Sequence, residues 1–256
     1  ELKIDELKID ELKIDELKID ELKIDELKID ELKIDELKID ELKKENILSK
    51  INKIIDKQIC KNILLLLSDN NLLEIFKECP SVKKNINNLK IILKKQNLDD
   101  KIIENIVNNY ILELVPAGTK GVIRGNKFNK IIETYILSLK LSSQRFEINF
   151  EKTHKLFTIT EIPDWYIYDK QSKKIIIGMN QLDLWKGGQQ FNRGSKYLID
   201  NKNNTINSKL LCVICNHTII KSKNNKTFKL FNIGFENDTL CYINGLYPII
   251  KNYFKL

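Results

Sequence analysis

The stretch from Pro163 to Tyr197 reads PDWYIYDKQSKKIIIGMNQLDLWKGGQQFNRGSKY, and its polar residues are spaced for metal-ion chemistry. Asp164 opens the apolar run Trp165 to Tyr168. After a polar turn, a second run, Ile175 to Ile177, leads into Gln181-Leu182-Asp183. Two adjacent strands that each deliver an oxygen ligand at one end make a site for a hard divalent cation such as Mg²⁺. Strand alternation puts Ile175, Ile177, Met179, Gln181 and Asp183 on one face, with the apolar members packing inward and the last two reaching a cleft. The segment that follows, DLWKGGQQFNRG, is dense in groups that read base edges. Gln and Asn pair with adenine and Arg with guanine, so Gln189, Gln190, Asn192 and Arg193 are candidates for DNA contact. At a helix start the same side chains can instead cap the helix or hold phosphates.

The Pro163-Asp164 pair followed by Gln181-Leu182-Asp183 resembles the PD-(D/E)XK nuclease superfamily, and within it the type II restriction endonucleases, over about Val115 to Phe254. The resemblance implies an α/β fold with a mixed sheet, its core running helix, three strands, helix, strand. It also implies that Asp164 is the carboxylate bridging the metal or metals. The usual Glu/Asp-X-Lys is here Gln181-Leu182-Asp183, and a Gln carbonyl coordinates Mg²⁺ without contributing charge. Glu133, on the preceding helix, matches where many members supply an extra acid. The absent lysine would be replaced by Lys186 or by Lys196, either of which supplies a cation to orient water or steady the transition state. The implied activity is Mg²⁺-dependent cleavage of double-stranded DNA at a short site by a homodimer. A cognate DNA methyltransferase would belong to the same system. Two alternatives share the core: a repair- or structure-specific nuclease, and a catalytically weakened DNA-binding relative.

Three regions would carry this site. Residues 1–42 are a tail built on eight perfect copies of Glu-Leu-Lys-Ile-Asp. A period of five spreads the leucines around a helix, so no coiled-coil stripe forms, and a helical or partly disordered tail is expected. Residues 43–111 read as a helical subdomain. Its apolar sets are Ile47, Ile51, Ile54, Ile55; Leu72, Leu73, Phe76; Ile86, Leu89, Leu93; and Ile102, Ile106, Tyr110. Pro80 breaks that pattern and Ser81 signals the next helix. Residues 112–256 form the nuclease-like domain. It begins with a glycine-punctuated loop, Val115 to Gly125, whose Lys120 and Arg124, with Lys127 just beyond, would either meet DNA phosphates or flank a hinge. A helix from Asn126 to about Leu139 follows, burying Phe128, Ile131, Ile132, Tyr135 and Ile136. Strands are expected at Phe146 to Phe150, Leu156 to Thr160, Trp165 to Tyr168, Lys174 to Asp183 and Leu210 to Cys215, with one more near Lys229 to Ile233. A helix from Gly188 to Ile199 precedes the Leu210 strand.

Charge points the same way as the motif. The repeat block holds sixteen acids against eight lysines, so the other 216 residues carry +15 to bring the chain to its formal +7. A basic body favours a polyanionic partner, although a bias toward Lys, Asn and Ile would produce the same excess. The five cysteines are too scattered for a disulfide framework. Cys212 and Cys215, with His217 and Cys241, suggest zinc, but i and i+3 on a strand face opposite sides, so buried free thiols are expected. His154 stands apart from any nucleophile signature. No apolar run approaches the ~20 residues that span a bilayer, and no signal-like segment is visible, which gives an intracellular expectation, the cytoplasm of a microbe or of a virus-infected cell.

Overall fold

The computed structural model describes residues 41–156, 161–182, 195–199, 205–215 and 226–256. The repeat block, the expected strand beyond Leu156, and most of the expected helix 188–199 lie outside these residues. Five helices come first: α1 (Glu41–Leu66), α2 (Leu73–Glu78), α3 (Pro80–Lys94), α4 (Asp100–Asn109) and α5 (Ala117–Ser138). Strands β1 (Phe146–Phe150), β2 (Trp165–Asp169) and β3 (Lys174–Gln181) follow, then a helical turn at 195–198 and β4 (Ser208–Ile214). The chain closes with α6 (Lys226–Glu236), β5 (Leu240–Tyr242) and α7 (Ile243–Phe254).

The sheet order is β1-β2-β3-β4-β5. The first three strands form an antiparallel meander, and β4 and β5 add in parallel. Both faces are covered, which explains why β4 is buried at nearly every position. On one face lie Ile59 and Ile63 of α1 with Leu67 just beyond it, Phe128, Ile132 and Ile136 of α5, and Leu246, Ile250 and Phe254 of α7, packed on Trp165, Ile167 and Ile176. On the other, Tyr197, Leu198 and α6 residues Leu230 and Phe231 pack on Tyr166, Ile175, Ile177, Leu210 and Cys212. Each such aliphatic or aromatic side chain contributes about 1.5–3 kcal/mol by leaving water. Residues 50–256 form one compact unit, in which α1 shares a core with the sheet while α2 and α3 pack on Val115 and Ile123 in a separate cluster.

Several sequence expectations change. Residues 118–125 are the first turns of α5 and not a loop. Gly118, Gly121 and Gly125 cost about 1 kcal/mol each in a helix, which burial of Ile123 against Leu72, Phe76 and Val82 offsets. Pro80 is the first residue of α3, where its missing N–H costs no hydrogen bond. Asp99 caps α4 by accepting from the Ile102 N–H at 2.8 Å. That cap sets the helix rotation so that Ile103 and Val107 are buried, while Ile102 and Tyr110 are exposed. On α1, Ile54 is likewise exposed, and the buried row runs through Ile59, Cys60 and Ile63. Residues 229–233 are helical, and the adjacent Leu230 and Phe231 both pack into the same core, which the alternation of a strand does not provide. The last sheet strand is instead the three-residue β5, too short to show a period.

Candidate functional site

The site begins with the way the chain enters β2. The Asp164 N–H donates to the Gly178 carbonyl and the Asp164 carbonyl accepts from the Glu151 N–H, both at 3.0 Å. Asp164 is thereby held between β1 and β3, half-buried at one end of the meander. Next to it the Trp165 ring lies flat over Gly178, where an added Cβ would fall 1.7 Å from a ring atom. Glycine is required there to let the indole reach the core.

The Asp164 carboxylate closes a ring of hydrogen bonds. Its Oδ1 accepts from Asn129 Nδ2 of α5 at 2.8 Å, and its Oδ2 accepts from the Asn180 backbone N–H at 2.6 Å. Asn180 Nδ2 donates to Asn129 Oδ1 at 3.1 Å, and Trp165 Nε1 donates to Asn180 Oδ1 at 3.0 Å. Bonds that end on an ionised carboxylate are shorter and stronger than neutral ones, so this ring fixes the orientation of Asp164. Asn129 and Asn180 were not foreseen. Asn129 is the polar neighbour of buried Phe128, four residues before Glu133, and Asn180 follows the apolar run of β3 directly before Gln181.

The other expected metal-site residues are distributed around this ring. Gln181 is half-buried at the end of β3. Ile176 and Leu182 face the α1–α5–α7 core and Ile175 and Ile177 the opposite one, so alternation puts Gln181 on the face away from Asn180. Glu133 sits one helical turn beyond Asn129 and pairs with Lys130 Nζ at 2.9 Å. Lys196 is exposed, its Nζ 5.9 Å from the ring centre of buried Tyr197. Asp183, Lys186, Gln189, Gln190, Asn192 and Arg193 lie outside the described residues. Among the described residues, no three His, Cys, Asp or Glu side chains converge as a metal cage. The ring itself offers a carboxylate and amide carbonyl oxygens, hard donors that suit Mg²⁺ in kind, with Asp164 its single charge.

The cations of α5 divide. Lys120 Nζ lies 3.0 Å from Asp69, and Arg124 joins the same carboxylate at 2.5 Å while donating through Nε to the Leu67 carbonyl at 3.1 Å. These two tie α5 to the end of α1. Lys127 is half-buried with no ion pair among the described residues, and burial pushes its ammonium below the usual lysine range.

Further titratable groups are structural. Asp169 is fully buried and takes a two-pronged bond from Arg145, at 3.2 and 2.8 Å, which holds its carboxyl well below the usual range. The Tyr166 hydroxyl donates to Glu147 at 2.6 Å, and burial together with that acid pushes it up to about 12. His154 packs its ring 5.1 Å from Tyr166 and 4.9 Å from Tyr168. Its Nδ1 accepts from the Leu156 N–H, and burial lowers its pKa. All five cysteines are buried and none forms a disulfide. Cys212 belongs to one core and Cys215 to the other, as strand alternation requires, so the pair cannot close on one ion. His217 lies outside the described residues.

No helix among the described residues is long and apolar enough to cross a membrane. No family model matches the chain, and neither a curated protein nor a solved structure matches it significantly.

Proposed function

We propose that this protein is a Mg²⁺-dependent endonuclease that cleaves double-stranded DNA, acting at a short site as a homodimer. The observation that carries the reading is the carboxylate of Asp164. It is held in one orientation at the start of the second strand of an antiparallel meander, beside a strand that continues into a parallel pair. The order α5, three antiparallel strands, helical turn 195–198, parallel β4 agrees with the core that the Pro163-Asp164 motif implies. A bound Mg²⁺ would supply Lewis-acid stabilisation of the phosphoryl charge and a more acidic water. Asp164 would hold that ion, with Gln181 and Asp183 at the neighbouring motif positions and Glu133 nearby on α5. Lys186 or Lys196 would supply the cation at the reacting phosphate, and Lys127 would meet the duplex backbone.

The test is incubation of the full chain with a mixed-sequence plasmid and Mg²⁺, beside Asp164→Ala and an EDTA control. Discrete fragments absent from both controls are expected. A smear dependent on Asp164 would instead indicate a structure- or repair-type nuclease. One observation favours a second reading, a DNA-binding relative with a weakened site: the side chain of α5 that meets Asp164 is the neutral amide of Asn129 and not a second acid. Duplex binding without cleavage at any Mg²⁺ or Mn²⁺ concentration would select that reading.

A further inference from the structure

The geometry points to Asn129 as the residue through which α5 positions Asp164 for a divalent cation, on the helix where the resemblance implies Glu133 as an extra acid. The inference rests on the metal-site reading above. Asn129 donates directly to Asp164 Oδ1 at 2.8 Å, and its own carbonyl is occupied by Asn180 Nδ2 at 3.1 Å. That second bond leaves only one amide orientation in which the donor meets the carboxylate. The rotation of α5 is set by Phe128 and Ile132 on either side, 1% and 0% exposed, so Asn129 is delivered by the core and not by a loop. Glu133 is a turn further along and is paired with Lys130.

A neutral donor that orients a charged ligand acts as outer-shell partners do at metal sites: it fixes the direction of the carboxylate without adding charge. Asn129 is therefore a positioning residue. A carboxylate at its place on α5 would add a second charge beside Asp164, and ligand charge count tunes binding of hard cations.

The experiment is a Mn²⁺ titration of the full chain, read by calorimetry and by the Mn²⁺-induced rise in Tm, with circular dichroism as the check on folding. The wild type is expected to bind Mn²⁺ in a manner lost in Asp164→Ala. Asn129→Ala should weaken that binding by about tenfold or more. Asn129→Asp, which keeps the side-chain shape, should tighten it and enlarge the Mn²⁺-induced rise in Tm, while Glu133→Gln should leave binding within about twofold of the wild type. If binding depends on Asp164 but is unchanged in both Asn129 variants, the assignment of Asn129 is overturned while the metal site stands. A loss that follows Glu133→Gln would overturn it in the same way. If the wild type shows no Asp164-dependent Mn²⁺ binding, both the metal site and the role of Asn129 fail together.

Discussion

Lys120, Arg124 and Lys127 follow one another along α5, but the first two are already paired with Asp69. Their substitution and that of Lys127 should therefore be felt in different measurements. Lys127→Ala should weaken duplex binding evenly across sequences and reduce the slope of log K against log salt by about one, as loss of one phosphate contact does. Lys120→Ala and Arg124→Ala should instead lower stability by about 1 kcal/mol each, since they leave Asp69 partly buried without its full complement of donors. A denaturant titration beside a salt-dependent binding assay separates the two effects. At Gly178 the constraint is steric. Alanine there would drive a methyl group into the Trp165 ring, and a loss of about 3 kcal/mol is expected from overpacking. Because Trp165 also anchors Asn180, near-ultraviolet dichroism of the indole should change with stability.

The pairing of secondary-structure elements depends on one buried ion pair far along the strands from Asp164. Arg145, just before β1, reaches Asp169 at the end of β2, stacks over the Phe146 ring at 4.8 Å, and donates to the Phe254 carbonyl at the end of α7. Asp169 also accepts from the Gln171 N–H and Ser172 Oγ in the β2–β3 turn. Asp169→Asn would leave a guanidinium facing a neutral amide, and a fall in Tm of roughly 10 °C is expected. None of this showed in the sequence, where Arg145 and Asp169 are 24 positions apart and look like surface charges. The strands themselves did show. β1, β2, β3 and β4 fall where apolar runs bounded by polar turns placed them, because half-buried or fully buried strands are rich in Ile, Tyr and Trp. Asp164 was found from its place before β2, and its partners were not, since Asn129 arrives from a helix 35 residues earlier. The glycines of α5 misled for a related reason: local propensity favoured a loop, and the contacts of Ile123 with α2 and α3 prevailed.

Taken across the molecule, two carboxyls bend the stability profile in opposite directions. Asp169 titrates below its ordinary range, so its contribution is complete above about pH 4 and is lost as pH falls further. Asp56 of α1 is pushed up to about 6 by burial, and its Oδ1 finds no hydrogen-bond partner among the described residues. A raised carboxyl works the other way: folding is penalised progressively as pH rises from about 4, where the unfolded chain ionises, to about 6, where the folded one does. These two groups together favour maximal stability close to pH 4. Thermal melts from pH 2 to 8 should show Asp56→Asn matching the wild type near pH 4. At pH 7 the variant should exceed it by about 1 kcal/mol, after allowing for partial exposure of the group. Asp169→Asn should flatten the acid side alone.

The alternation of β4 also makes the strand its own pair of reporters. Cys212 and Cys215 are three residues apart in sequence and lie on opposite sides of the sheet, each sealed in a different core. A thiol reagent can reach either sulfur only when the layer above it opens. In variants that keep one of the two thiols and replace the other four cysteines with alanine, reaction rates under native conditions would measure how often each helical layer lifts from the sheet. Equal rates would mean that the two layers come off together in one global unfolding. A faster Cys212 would mean that the α6 side breathes alone while α1, α5 and α7 stay closed over Asp164.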